Sequence, residues 1–384
     1  MKRTLFDSDH EDFRAVVREF VARTVTPNVE QWDSDRRIGR DVWEAAGAQG
    51  LLGLTSPAEY GGAGVNDYRY RIVVCEELAR AGAAALSLGF GLQDDILAPY
   101  VVSLGDEEQK KRWLVPMSAG EYLMAVGMTE PGTGSDLRGV RTSATEVDGG
   151  WVVNGAKTFI SSGIQADGVV TVVRTDPAGG SDAFTLLVIE EGMKGFERGR
   201  QLRKVGLPAQ DTAELSFTDV FVPRENLLGT VGGGLRQLMK HLPTERLSIA
   251  AQAVASAKAG LEWTLEYTQQ RQAFGKPIAD FQHTRFELAD LTCQMEVQQA
   301  YLDACALALN AGDLTAVDAA KAKYAASEMQ GRVLDRCLQL FGGYGYMLEY
   351  PIARAFTDAR VQRIYGGTNE IMREIIGRDL VGRR

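Results

Sequence analysis

A chain of 384 residues, 45% of them hydrophobic and 24% charged, is long enough for two or three packed units with sizeable cores. Its formal net charge of −9 argues against nucleic acid or an anionic membrane as a partner, although a local basic patch could still hold an anionic cofactor. No apolar run approaches the ~20 residues of a membrane span, the start MKRTLFDSDHED lacks a signal-peptide core, and the four cysteines show no CxxC spacing, so a reduced, cytoplasmic protein is expected.

Residues 1–122 read as a helical domain. Ser8 and Glu11 have the spacing of a capping box ahead of the amphipathic run Phe13, Val16, Val17, Phe20 and Val21, which Pro27 ends. Asp41 is expected to cap a short helix through Trp43 to Ala48. After the loop EYGGAG come helices through Val73 to Ala79, from about Leu86 to Ser103, and from Glu107 to Leu114. Gln93, Asp94 and Asp95 are expected to face solvent rather than to cap a polar substrate tail.

Residues 123–232 change to a period of two, with turn residues every eight to twelve positions. WVVNG, KTFIS, GVVTVVRT, AFTLLVIE and AELSFTDV read as short antiparallel strands forming a small barrel or two stacked sheets. Residues 233–384 return to long helices. Leu247, Val254 and Leu261 repeat at seven, with Ala250 and Ala257 filling an a/d-like seam suited to bundle packing. Phe281 to Leu309, Ala316 to Leu340 and Asn369 to Val381 supply three more helices. The fold class is therefore α+β multidomain, with an N-terminal helical domain, a central antiparallel β-barrel or sheet domain and a C-terminal four-helix-bundle domain.

Five stretches could carry chemistry. VGMTEPGTGSD (Val126 to Asp136) runs from a strand into a loop of glycines, proline and hydroxyl residues. Its freed N–H groups suit an uncharged heteroaromatic ring or a thioester, though a tight surface turn would look the same. Glu245, in LPTER, falls in the first turn of the long helix, opposite the Leu247 seam and beside Gln252 and Ser256. There it is either an ordinary N-terminal acid or a general base in a cleft, facing the β domain. RIYGGTNEIMREIIGRD pairs glycines with a Thr368 N-cap after an extended piece ending at Tyr365. QLFGGYG reads as a helix stop with glycine caps, and RQAFGKPIADFQ as a helix end with a small basic spot. Only three histidines are present, so no metal site is expected.

MTEPGTGSD, KTFIS, ERLSIA, RQAFGK, FGGYG and IYGGTNEIMREIIGRD occur in the order and spacing of the acyl-CoA dehydrogenase flavoproteins, and the chain resembles that family over its whole length. The resemblance implies FAD, a homotetramer built as a dimer of dimers, α,β-dehydrogenation of an acyl-CoA thioester, and an electron-transferring flavoprotein as acceptor. It also implies roles for individual residues. Met128, Thr129, Gly134 and Ser135 would lie along the flavin, with Ser135 also near the thioester. Phe159 would stack on the isoalloxazine, and Ser161 would sit near its N5. Arg271, Phe274 and Gln282 would reach the FAD of a neighbouring subunit, and Gln339, Gly342 and Gly343 would hold its adenine-diphosphate portion. Thr368 and Glu370 would face the flavin's phosphate side. Leu242, Arg246 and Gly367 would contact substrate.

One departure bears on mechanism. Many members place the catalytic glutamate directly after the tyrosine of the C-terminal motif, where this chain has Gly366. In the isovaleryl and long-chain branches that glutamate is instead in LxxER on the long helix, where this chain has Glu245. By resemblance Glu245 is the base, the Gly366 N–H polarises the thioester carbonyl, and the acyl group leans towards long or branched chains. Two other readings stay open: a dehydrogenase of carrier-protein-bound acyl or aminoacyl thioesters, and a catalytically silent flavin-binding subunit, against which Glu245 argues. An oxidase that passes electrons to oxygen is a further variant.

Overall fold

The computed structural model describes residues 3–382. Its first part is a stack of short helices: α1 (Ser8–Phe20), α2 (Val29–Asp35), α3 (Arg40–Ala48), α4 (Tyr68–Arg80), α5 (Ala84–Gly91), α6 (Ala98–Leu104) and α7 (Glu107–Ser118). The capping box of α1 is built one residue earlier than the sequence spacing suggests. Asp7 is the N-cap, its carboxylate accepts from the Asp9 and His10 N–H groups, and the His10 ring closes the box. Asp41 likewise lies in the first turn of α3, and Gly39 holds the cap position.

The helix expected from Leu86 to Ser103 is present and runs unbroken from Ala84 to Leu104, with a bulge inside it. A π-turn over Leu92–Leu97 joins α5 to α6 and carries Gln93, Asp94 and Asp95, which are buried rather than solvent-facing. Each of the three has an interior partner. The Gln93 amide bridges the Met124 N–H and C=O (3.0 and 2.9 Å), Asp94 accepts from the Gly53 N–H (2.9 Å), and Asp95 meets Arg71 (3.1 Å) and the Ser248 hydroxyl. Hydrophilic residues here join elements inside the protein, which composition cannot reveal.

The middle of the chain forms one sheet from β1 (Met124–Gly127), β2 (Ser143–Val147), β3 (Gly150–Ser161), β4 (Gly168–Arg174), β5 (Phe184–Glu190), β6 (Phe196–Gln201), β7 (Thr212–Pro223) and β8 (Leu227–Leu228). The order is β6-β7-β3-β2-β4-β5-β8, with β1 beside β4. It is an open, mixed sheet and not a closed antiparallel barrel, because β1 runs parallel to β4. WVVNG and KTFIS are one strand. At Gly155 (φ +151°) the register against β7 shifts, and a Cβ there would press on the Thr142 backbone. Strands β4 and β5 are buried on both faces. Val170, Val172, Leu186 and Val188 pack against Tyr100 and Trp113, while Val169, Val173, Leu187 and Ile189 pack against Trp151, Leu215 and Val220.

The last part is built on α8 (Gly234–Gln270), followed by the β9–β10 hairpin (Gln272–Ala273, Lys276–Pro277), α9 (Gln282–Ala311), α10 (Ala316–Phe341), α11 (Pro351–Ala359) and α12 (Asn369–Leu380). Helix α11 is absent from the sequence reading, because Pro351 and the nearby glycines look like loop punctuation. Pro351 in fact occupies the first helical turn, where its missing N–H costs nothing. Leu247, Ala250, Val254, Ala257 and Leu261 all enter one core with α10 and α9, and Gly260 lets Leu334 of α10 approach closely. No helix among the described residues is long and apolar enough to cross a membrane.

Candidate active site

Helix α8 runs straight through Pro243, so Glu245 lies three turns inside it and not in its first turn. The macrodipole argument for an ordinary N-terminal acid therefore falls away. Glu245 is 7% exposed, and its Oε2 has no hydrogen-bond partner. Burial lifts its carboxyl to about 7, with the adjacent Arg246 opposing the shift. Its nearest charged and polar surroundings are Arg246, Tyr100 of α6 and Tyr365, so it faces the N-terminal helices and the C-terminal turn, not the β domain.

That turn is Tyr365 to Thr368. Tyr365 follows a 3-10 turn (Arg360–Arg363) and a helical Ile364, where an extended piece was expected. Gly366 and Gly367 have φ of +62° and +89°, and Thr368 caps α12 by accepting from the Ile371 N–H. A Cβ on Gly366 would stand 3.7 Å from Glu245 Oε1 and would overlap Ile249 Cδ1. The structure thus brings Glu245 and Gly366 together, and a side chain at 366 would compete for the space beside the carboxylate. Gly366→Ala is expected to cost about 1–3 kcal/mol through the left-handed φ, read as a lowered melting temperature, with Ile249→Val in the same chain recovering only the steric part.

The turn is gripped from α10, a feature no motif announced. The Lys323 ammonium, fully buried, donates to the Gly367 carbonyl (2.8 Å) and to Asn369 Oδ1 (2.9 Å), and Asn369 donates in turn to Ser327 (3.0 Å) and Glu328 (2.7 Å). A lysine in the middle of an apolar helical stretch was the available signal. Arg246 is buried beside this group with its Nε unpartnered, and Leu242 lies one turn before it, partly buried.

The loop after β1 is anchored from behind. Glu130 accepts from the Arg141 and Thr142 N–H groups (2.7 and 2.9 Å) and pairs with Lys157 of β3 (2.8 Å). Lys157 also donates to Met128 O (3.2 Å), and the Thr158 N–H donates to Thr129 O (2.9 Å). The side chain of Lys157 is wholly buried, and burial lowers its ammonium to about 8 despite Glu130. Sequence reading passed over this pair although both residues lie inside quoted motifs.

In front of these anchors Gly134 and Ser135 are exposed, and a Cβ on Gly132 or Gly134 would meet nothing within 4 Å. Phe159 is 68% exposed with φ +59°, a costly backbone for an aromatic residue, and Ser161 lies two positions on along β3. Bare glycine backbone, hydroxyls and a presented ring match the donor set a flavin ring would need.

A second surface lies elsewhere on the chain. Phe274 projects from the β9–β10 hairpin, 96% exposed at φ +51°. Arg271, Gln339, Gly342 and Gly343 line an open groove of about 500 Å³ with Tyr267 and Tyr344, and Arg271 stacks over Tyr344 at 5.6 Å. Gly342 (φ +60°, ψ −134°) starts a 3-10 turn rather than closing α10 in the simple left-handed form expected. Gln282 begins α9 and Glu370 the exposed first turn of α12. Among the described residues no group of His, Cys, Asp and Glu could hold a metal ion.

Three family models match the chain: the acyl-CoA dehydrogenase N-terminal domain over residues 7–121, the middle domain over 125–220 and the C-terminal domain over 232–381. The chain is 45% identical to the long-chain specific acyl-CoA dehydrogenase of Sus scrofa mitochondria, covering 99% of this chain and 88% of that protein. It is 37% identical to the isovaleryl-CoA dehydrogenase of Solanum tuberosum mitochondria, over 98% and 91%. The crystal structure of an acyl-CoA dehydrogenase from Geobacillus kaustophilus superposes with a TM-score of 0.95 at 41% identity, covering 98% of both chains.

Proposed function

The chain belongs to the acyl-CoA dehydrogenase family and is an oxidoreductase of that class, and from this premise we propose that Glu245 is the base that takes the α-proton of an acyl-CoA thioester. The observation that carries the assignment is a buried carboxylate with an unpartnered oxygen, 3.7 Å from where a Cβ on Gly366 would stand. A thioester α-proton is too weakly acidic for a carboxylate unless the carbonyl is polarised as enolate charge develops. The Gly366 N–H would supply that polarisation, with Lys323 fixing the turn through the Gly367 carbonyl and Arg246, Leu242 and Gly367 beside the substrate. Burial holds Glu245 near the working pH, where a base is most effective.

FAD fits the exposed glycine, hydroxyl and aromatic surfaces described above. Met128, Thr129, Gly134, Ser135, Phe159 and Ser161 would hold its ring, and Thr368 and Glu370 its phosphate side. Phe274, Arg271, Gln282, Gln339, Gly342 and Gly343 would hold the FAD of a neighbouring copy, which supports a homotetramer built as a dimer of dimers. Bound there, FAD would supply the acceptor for the β-hydride, and an electron-transferring flavoprotein would take up the electrons. The four cysteines are unpaired, which supports a reducing, cytoplasmic setting.

Because the base must be ionised to act, kcat/KM is expected to fall about tenfold per pH unit below about 7 and to level off above it. A profile flat between pH 6 and 8 would remove Glu245 from the role. The activity itself is tested by anaerobic titration of the yellow protein with CoA thioesters of graded length and branching. Bleaching of the flavin by one class is expected, and no bleaching by any of them would favour carrier-bound thioesters.

A further inference from the structure

A largely enclosed cavity of about 30 Å³, room for about two water-sized groups, lies between α4, α5, α8, α10 and α11. Sites for hydrocarbon are lined mostly by apolar groups. Leu88, Leu207 and Trp263 supply such a lining here, and Gln252, Gln330 and Gln362 interrupt it with polar groups. The carboxamide oxygens of Gln330 and Gln362 are buried with no hydrogen-bond partner among the described residues. Buried acceptors of that kind are uncommon in native proteins and call for a donor.

The cavity is in line with the base. Gln252 and Ser256 follow Glu245 by seven and eleven residues, close to whole turns, so all three share one face of α8. They stand about 10 and 16 Å beyond it along the axis. Tyr365 lies within electrostatic reach of both Glu245 and Asp358, and its own hydroxyl is buried and unpartnered. The base and the cavity thus lie along one face of α8, with Tyr365 close both to Glu245 and to Asp358 of the cavity wall.

We infer that this cavity receives the far end of the acyl chain and selects chains that carry a hydroxyl there, donated to the carboxamide oxygens of Gln330 and Gln362. The inference rests on reading the chain as an acyl-CoA dehydrogenase with Glu245 as base. With carbon–carbon bonds of about 1.5 Å, an extended chain advances about 1.3 Å per carbon, so the span along α8 takes roughly eight to twelve carbons beyond the α-carbon, an acyl group of roughly ten to fourteen. A hydroxyl is favoured over a ketone because the orphaned atoms are acceptors and a ketone has nothing to donate. The cavity's size restricts the hydroxyl to the last carbons of the chain.

The test compares kcat/KM of the FAD-loaded protein for myristoyl-CoA and its terminally hydroxylated counterpart. The hydroxylated thioester is expected to be at least tenfold better, since a site built around a hydrogen bond penalises a ligand lacking it. Equal rates, or a preference for the plain chain, overturn the inference and leave water as the filling of the cavity. In Gln330→Leu/Gln362→Leu the preference is expected to vanish or reverse, and an unchanged ratio would also overturn it. If that double variant does not fold, the wild-type ratio still decides. Failure of both thioesters, together with every shorter one, would sink the acyl-CoA reading itself and favour carrier-bound thioesters; turnover of plain chains alone would leave that reading intact.

Discussion

Glu245→Gln is expected to lower kcat by about 10³-fold or more, at the upper end of what a positioned base contributes, while the protein still binds FAD. Gln keeps the shape of the side chain and loses only its capacity to hold a proton from carbon. The direct readout is exchange of the substrate α-hydrogen in D2O, which should stop. The stability effect should run the other way. A carboxyl raised from 4.5 to about 7 by burial favours its neutral form in the folded protein, so the ionised group destabilises the fold increasingly as pH rises from about 4.5 through about 7. At pH 8 the neutral glutamine variant should melt no lower than the parent. Retained α-exchange in Glu245→Gln would move the base to another residue.

Lys157→Met should be the most destabilising single substitution near the loop after β1. It leaves Glu130 buried opposite an apolar side chain, and breaking a buried pair from one side costs about 3–5 kcal/mol. Two backbone N–H groups still reach Glu130, from Arg141 and Thr142, but they do not neutralise it. The same substitution removes the donor to Met128 O, so the loop carrying Thr129 to Ser135 keeps only the Thr158 N–H to Thr129 O bond as its link to β3. Urea unfolding should show the loss, and Glu130→Gln in the same chain should recover most of it. A single variant that loses less than about 1 kcal/mol would mean that the pair is not what fixes this loop.

Both variants report on one design. The groups proposed to meet substrate and cofactor sit at places of local cost: a carboxylate without a partner, a phenylalanine at φ +59°, a glycine against Ile249. Each is held by a buried polar anchor on a neighbouring element, Lys323 for the Gly366 turn and Lys157 for the loop after β1. Such costs persist only where the surroundings over-determine them.

Much of this was determined by the sequence by itself. The change of hydrophobic period near residue 123 and again near 233 separates helix from sheet, because side-chain direction repeats at 3.6 residues in one and at two in the other. The seam of Leu247, Val254 and Leu261 and the Thr368 cap follow from spacing alone. Glu245 was singled out by one motif standing where another lacked its acid. What the tertiary structure decided were the properties that depend on neighbours distant in sequence. Gln93 to Asp95 look like surface residues and are interior because Arg71, Ser248, Gly53 and Met124 meet them there. Burial and the absence of a partner set the ionisation of Glu245, and helix position does not, since it lies three turns into α8. Desolvation and pairing are sums over everything that surrounds a group, and a local stretch of sequence contains only a small part of that sum.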